Sequence, residues 1–456
     1  MRIRDGRFQR ATRGDLVSTH RPLLEVGLVF ARLGLTSFGG PIAHLGYFHD
    51  ELIQRRKWMS ETEYADLVAL AQFLPGPASS QVAMGLGHRR AGPIGALAAT
   101  VCFTLPSAAL LFLFALGLMP LASDFSLAQG ALAGLQLAAA TVVAHAIWQM
   151  QRQLCPDPHR KGIAIGAAAL MGLGSFLITS SRAREMSGTA LSWLTPSVLQ
   201  FAVLIAAGLI GFQLSKAHLS EPVSPSGDSK YRRGGKRWGA TLLAIWAAIL
   251  VTTPILLQLA PESANLKILD VFYRVGSTVF GGGHVVLPML QAEVLSPTAS
   301  LESSTTLMSN AWLTSAEFHA GYGAAQAIPG PLFSFAAFVG ALARLPETPT
   351  TLQAVQQAGM ALIGVFLPSL LLILGTWPFW KRMKQVPRLR SAAQYVNAAV
   401  VGLLLSALLH PILPESIHNI GDLLLLVVGL ILLFKFRWPN WAIVAAMGLA
   451  GGLRSI

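Results

Sequence analysis

The chain has 456 residues, of which 53% are hydrophobic and 12% charged. A water-soluble domain carries about a quarter charged residues, so this one has too little polar surface to cover a globule in water. The formal charge of +13 then reads as Lys and Arg gathered in cytoplasmic loops, not as a nucleic-acid footprint. Cys102 and Cys155, the only cysteines, offer neither a disulfide framework nor metal-ligand spacing.

In chain order, residues 1–22 form a basic tail (Arg2, Arg4, Arg7, Arg10, Arg13) with no cleavable apolar segment directly behind it, so it reads as cytoplasmic. Two apolar segments follow, Leu23–Gln54 and Tyr64–Leu86, each interrupted near its middle by Gly or Pro. Uninterrupted runs come next: Gly92–Leu118, Leu127–Gln149, Gly162–Thr179 and Trp193–Leu214. Runs of about 20 residues match the ~30 Å hydrocarbon layer at about 1.5 Å rise per residue. Residues 215–237 are rich in Ser, Pro, Gly, Lys and Arg and read as a cytoplasmic linker. Beyond it lie Trp238–Leu259, the broken segments Leu269–Val294 and Glu317–Ala343, and the runs Gly359–Trp380, Ala392–Leu409, Asp422–Phe434 and Trp438–Leu453. The fold class is an all-α polytopic membrane protein.

The chain repeats itself. Phe30–Gly40 matches Phe272–Gly282 without a gap, sharing Phe, Arg, Gly, Thr, Phe and the Gly pair. Trp58, Glu63, Gln72 and Pro75-Gly76-Pro77 align with Trp312, Glu317, Gln326 and Pro329-Gly330-Pro331. Leu105-Pro106-Ser107 aligns with Leu367-Pro368-Ser369. Three blocks in one order indicate tandem duplication, with residues 23–214 as the first repeat and 238–456, preceded by one extra span, as the second. An odd number of crossings separates equivalent points whether the broken segments span or re-enter, so the halves are expected to be inverted. Positive-inside bias favours re-entrant hairpins, because these keep Arg55, Arg56 and Lys57 on the side of the basic tail. Arg182, Arg184, Lys267 and Arg344 then fall outside, against the bias.

Backbone leaves helical geometry inside a bilayer only where protein or a wet cavity satisfies its polar groups. Here the breaks come in pairs: Phe38-Gly39-Gly40-Pro41 with Phe280-Gly281-Gly282-Gly283, and the two Pro-Gly-Pro triplets. Each suits the end of one half-helix and the start of another, whose free N–H groups attract anions. Inverted-repeat transporters gather such breaks near the midplane to bind substrate. Arg32 and Arg274 precede the glycine motifs and offer planar forks of donors for a tetrahedral dianion, with snorkelling as the plainer alternative. Thr36, Thr278, Ser80, Ser334, Gln72 and Gln326 supply neutral donors for the same shell, although the hydroxyls equally suit capping of freed backbone. Glu63 and Glu317 each follow a Ser or Thr by three residues, the signature of a capping box. A proton-coupling role for Glu63, Asp66 or Glu317 stays open beside it. His44, His284 and His319 lie near the motifs but not at equivalent positions.

The Arg-x-Gly-x-Thr-x-Phe-Gly-Gly-Pro motif, the basic loop ending in Trp58, and Leu74-Pro-Gly-Pro before an apolar span together resemble the chromate ion transporters in their long, duplicated form. The resemblance covers nearly the whole chain, most specifically Leu23–Ser107 and Phe272–Ser369. It implies a bacterial inner-membrane carrier that expels chromate, driven by the proton gradient, and confers chromate resistance. It implies no enzyme activity and no cofactor. The expected partners are chromate and the lipid bilayer, with sulfate as an alternative substrate and a homo-oligomer left open. A membrane-embedded enzyme or an anion channel is the rival class; an enzyme would need a nucleophile or carboxylate cluster at the breaks, where Gly, Pro and Thr stand instead. The second half departs from the motif, with Gly283 where Pro41 stands.

Overall fold

The computed structural model describes residues 21–179, 196–215, 235–280, 283–295, 311–345 and 348–455. The basic tail to residue 20, most of the linker, Arg182, Arg184, residues 296–310 and the Gly281-Gly282 pair lie outside the described residues. Among the described residues all regular structure is helical. Six helical stretches among the described residues are long and apolar enough to cross a bilayer: 78–117, 126–154, 197–214, 235–259, 351–383 and 387–416. Their outer faces leave Ile94, Leu97, Val101, Leu105, Ile205, Leu209, Val251 and Ile255 exposed, an arrangement stable only against lipid.

The first broken segment is α1 (Pro22–Thr36) and α2 (Gly40–Phe48), the latter prolonged by a π-helical turn over His49–Arg55. Its two ends meet: Arg56 reaches Glu25 at 3.1 Å, and Glu25 also binds Arg90 at 2.6 Å. Phe30 fills the inside of this hairpin against Phe48 (5.7 Å) and Trp58 (6.3 Å between ring centroids). A second hairpin follows. It joins α3 (Glu61–Phe73), started by a capping box between Ser60 and Glu63, through Pro75-Gly76-Pro77 to the start of α4 (Ala78–Asp124).

Helix α4 is two arms. Ala91 and Gly92 leave helical geometry, Gly92 at φ +68°. A Cβ on Gly87 would lie 2.7 Å from that of Ala99, whereas a continuous helix separates such positions by about 18 Å. The chain therefore reverses at Gly92: residues 78–90 return along α3, and 93–117 make the crossing. The turn is marked in the sequence by His88, Arg89 and Arg90 just before Gly92-Pro93.

Next come α5 (Ser126–Leu154), α6 (Pro158–Thr179), α7 (Pro196–Leu214) and α8 (Gly235–Leu259). The second half repeats the plan. Helix α9 (Ala264–Thr278), the break, a 3-10 turn at Gly283–Val285 and α10 (Val286–Val294) form one hairpin. Helix α11 (Ser315–Ala327), Pro329-Gly330-Pro331, a 3-10 turn at Leu332–Ser334 and α12 (Phe335–Leu342) form the other. The long α13 (Thr351–Thr376) corresponds to the crossing arm of α4. The short α14 (Trp380–Met383), α15 (Pro387–Ala407), the short α16 (Leu413–Ser416), α17 (Ile420–Phe434) and α18 (Asn440–Arg454) complete the chain.

The glycine of the Arg-x-Gly-x-Thr motif has a packing cause. A Cβ on Gly34 would stand 2.6 Å from the Phe103 carbonyl oxygen, and one on Gly276 2.5 Å from that of Val365. Phe103 and Val365 each stand two residues before the repeated Leu-Pro-Ser. In both halves the first hairpin is thus pressed against the crossing helix at a contact only hydrogen fits.

Candidate anion-binding site

The four breaks meet, and each Pro-Gly-Pro turn docks on the glycine break of the other half. Gly76 N–H donates to the Val279 carbonyl at 2.6 Å, and Gly330 N–H to the Ser37 carbonyl at 2.9 Å. Ser37 and Val279 occupy the same place in the two repeats. Gly76 and Gly330 take φ of +115° and +100°, which only glycine adopts cheaply. A Cβ on Gly330 would lie 2.9 Å from Ser107 Oγ, and one on Gly76 would overlap Ser369 Oγ and stand 2.8 Å from Gln81 Nε2. Each turn therefore also presses on the Leu-Pro-Ser serine of the opposite half. Where the halves face each other, a Cβ on Gly283 would approach Pro41 Cγ at 3.7 Å and Leu332 Cδ2 at 3.2 Å. Pro41 and Gly283 are counterparts, so a second proline ring at 283 would be crowded there; this accounts for the departure from the motif.

Around this crossing, buried polar atoms are left without partners: Ser37 Oγ, Ser80 Oγ, Gln81 Oε1, Thr104 Oγ1 and Ser369 Oγ. A buried unpaired hydroxyl costs about 1–3 kcal/mol, so such a concentration marks groups held for a ligand. Helix starts converge on the same place. Helix α2 begins at Gly39-Gly40-Pro41 with no side-chain cap. In α4 the amides of Ala78, Ser79 and Ser80 precede the first helical bond, from Gln81 N–H to the Pro77 carbonyl. Buried His44 joins the two, with Nδ1 3.3 Å from Ser79 Oγ and Nε2 3.2 Å from the Ser37 carbonyl. The arrangement offers neutral donors and helix dipoles to an anion.

The other expected site residues separate. Gly39 and Gly40 serve the turn by positive φ (+99° and +76°), and Phe38 packs on Trp441 at 6.2 Å. Pro75, Pro77, Pro329 and Pro331 shape the docking turns. Thr36 and Thr278 hydroxyls donate to the carbonyls of Arg32 and Arg274 (2.9 and 2.6 Å), capping their own helices. Ser334 Oγ likewise donates to the Pro331 carbonyl at 2.7 Å, unlike its counterpart Ser80. Gln72 is exposed, while the Gln326 amide is buried beside the Tyr322 hydroxyl. Gly281 and Gly282 lie outside the described residues.

The two arginines differ. Arg274 is held by Asp270 (2.9 Å) and Glu293 (3.1 Å), and Thr253 also donates to Asp270. Its charge is spent on the protein. Arg32 is exposed beside a cleft of about 430 Å³, with Thr36, Tyr47, Asp50, Glu51 and Arg55, on the outer face of the first hairpin and not at the crossing.

The carboxylates expected as proton couplers have structural partners. Glu63 and Glu317 complete capping boxes. Glu317 also takes two bonds from Arg344, at 2.6 and 3.0 Å. Burial raises the Glu317 carboxyl, but Arg344 and the Thr314 amide outweigh it and hold it below the ordinary range. Asp66 pairs with Lys384 of the other half at 3.0 Å. Ser37, Gln81, Thr104, Ser107 and Ser369 were not among the expected site residues. The signal for the serines was present, since Leu-Pro-Ser recurs in both halves, but nothing local says that each serine meets the other half's turn.

Hairpins closed on themselves, two long crossing helices and breaks that dock reciprocally define a polytopic membrane protein built around an internal polar crossing. The sequence profile of the family described as "Chromate transporter" matches residues 24–212 and again 266–452. The chain belongs to the chromate transporter family, in its two-copy form. It is 26% identical to a probable chromate transport protein of Synechococcus elongatus, over 92% of this chain and 93% of the relative. It is 26% identical to a chromate transport protein of Cupriavidus metallidurans, over 94% and 92%. It is 25% identical to one from Pseudomonas aeruginosa, over 93% and 89%. No solved structure matches significantly.

Proposed function

We propose that the protein exports chromate across the bacterial inner membrane and thereby confers chromate resistance. The observation that carries this is the ring of unpartnered hydroxyls at the crossing, Ser37, Ser80, Thr104 and Ser369, beside uncapped helix starts. These are donors without fixed charge, suited to a tetrahedral dianion that must be released as well as bound. The relatives named as chromate transport proteins supply the choice of chromate; sulfate has the same shape and charge and remains the alternative.

Transport proceeds by rocking of two inverted halves, with the N-terminus cytoplasmic. Supporting this, Lys384, beyond the far end of α13, pairs with Asp66 near the base of the first half's hairpins, and Phe73 packs on Trp380 at 5.8 Å. The bases of the two halves then face opposite membrane surfaces. The cleft with Arg32 collects anions at the mouth. Outward movement of a dianion under a negative-inside potential is downhill by about 4.6 kcal/mol per 100 mV, and exchange for protons adds to it.

The test is labelled-chromate uptake into inverted membrane vesicles, with sulfate as competitor and with the proton gradient collapsed. Saturable uptake that Arg32→Gln weakens is expected. Absence of chromate uptake, or competition by sulfate at equal strength, would remove chromate as the designated substrate.

A further inference from the structure

One polar stripe in the molecule has no part in the anion site. On α11, Ser315, His319, Tyr322 and Gln326 recur at intervals of four, three and four residues. Those intervals place them along one face of the helix, over about 16 Å. The stripe ends three residues before Pro329-Gly330-Pro331, which docks on Ser37 at the crossing.

Each member lies beside a titratable group. Glu415 on α16, near the end of the 387–416 stretch, is 40% exposed, and its carboxylate lies 3.4 Å from His319 Nδ1 and accepts from the Ser315 hydroxyl. His319 is 1% exposed, and its Nε2 has no partner. One turn further, the buried Tyr322 hydroxyl lies 2.8 Å from His284 Nδ1. Gln326 follows, its amide turned toward the Tyr322 hydroxyl. The other titratable groups bearing on the stripe are His145 on α5, facing His284, and the Glu317–Arg344 pair at the helix start.

The first half has no such stripe. The alignment that carries Glu63 onto Glu317 puts Ala65 and Val68 where His319 and Tyr322 stand. Titratable groups inside a membrane domain are costly and are retained where they move charge. Duplication supplied two copies of this helix, and only the second carries a histidine and a tyrosine at these positions, while α3 carries Tyr64 and Asp66 at others.

We propose that α11 is the proton pathway of the transporter: a proton enters at Glu415, passes to His319, and reaches the crossing through the Tyr322–His284 pair. The inference rests on the transport function proposed above and adds its coupling route. It assigns coupling to the second half alone and removes it from Glu63, Asp66 and Glu317.

The experiment uses the full chain in proteoliposomes, with chromate flux driven either by a pH gradient or by a potassium-diffusion potential. A gradient of about one pH unit supports an about tenfold accumulation ratio per coupled proton. His319→Asn and Glu415→Gln are expected to lose pH-driven accumulation while potential-driven flux persists. The partly exposed Glu415 gives a second reading should the buried histidine variant fail to fold. Wild-type pH-driven accumulation in both variants overturns the pathway, and so does wild-type chromate flux that ignores the pH gradient. Absence of chromate flux in the wild type under either drive defeats the transport function itself, and the pathway with it.

Discussion

Replacing Gly76 by alanine tests the reciprocal docking directly. At φ +115° a non-glycine residue costs about 1–3 kcal/mol in backbone strain. The new Cβ would overlap Ser369 Oγ and stand 2.8 Å from Gln81 Nε2, and overpacking of this kind costs about 1–3 kcal/mol more. Gly76→Ala should therefore destabilise by about 2–6 kcal/mol. Ser369→Ala removes the overlapped oxygen, which has no hydrogen-bond partner, and alone should cost about 1 kcal/mol or less. Combined, the two should restore up to about 1–3 kcal/mol, because the overlap with Ser369 Oγ is gone while the Gln81 contact and the backbone strain remain. Equilibrium unfolding of the four proteins of this cycle in mixed micelles measures the coupling. Additive effects, or a Gly76→Ala protein as stable as the parent, would refute the contact between the Pro-Gly-Pro turn and the opposite half.

The two repeat arginines should behave differently. Arg274→Ala leaves Asp270, 2% exposed, as a buried carboxylate short of its counter-ion and should destabilise by about 3–5 kcal/mol; the exposed Arg32 replaced in the same way should leave unfolding midpoints nearly unchanged, as the same micelle assay would show. Acid should weaken the base of the hairpin formed by α11 and α12. Glu317 has a folded carboxyl held below the ordinary carboxylate range, so its contribution is present above the unfolded value and is lost as pH falls through the folded one. Glu317→Gln should flatten this acid limb in a thermal-melt series across pH; an unchanged slope would show that the Arg344 pair adds nothing.

The membrane class, the duplication and the places of the breaks were legible in the residues. Apolar run length and Gly-Pro punctuation are local properties, and Ser60 and Thr314 announced their capping boxes because a cap is satisfied within three residues of itself. Even the unequal pair Pro41 and Gly283 was visible, although not its reason. The boundary at Gly92 was legible as well, since His88, Arg89 and Arg90 part the segment ending at Leu86 from the run that starts at Gly92.

Other features depend on groups far apart in the chain. Arg32 and Arg274 are equivalent by sequence, yet one lies beside an open cleft and the other is neutralised, because Leu28 stands where Asp270 does and Glu51, the counterpart of Glu293, is paired with Arg55 and Arg56. Asp66 reads as a lone acid until Lys384 is brought to it. Ser107 and Ser369 read as helix residues until the opposite Pro-Gly-Pro turn is set upon them. Helix breaks in matched pairs within a membrane follow from the residues alone. Which break meets which is a matter of contacts between the halves, because the hydrogen bonds that freed backbone requires are made there, by Gly76 with Val279 and Gly330 with Ser37.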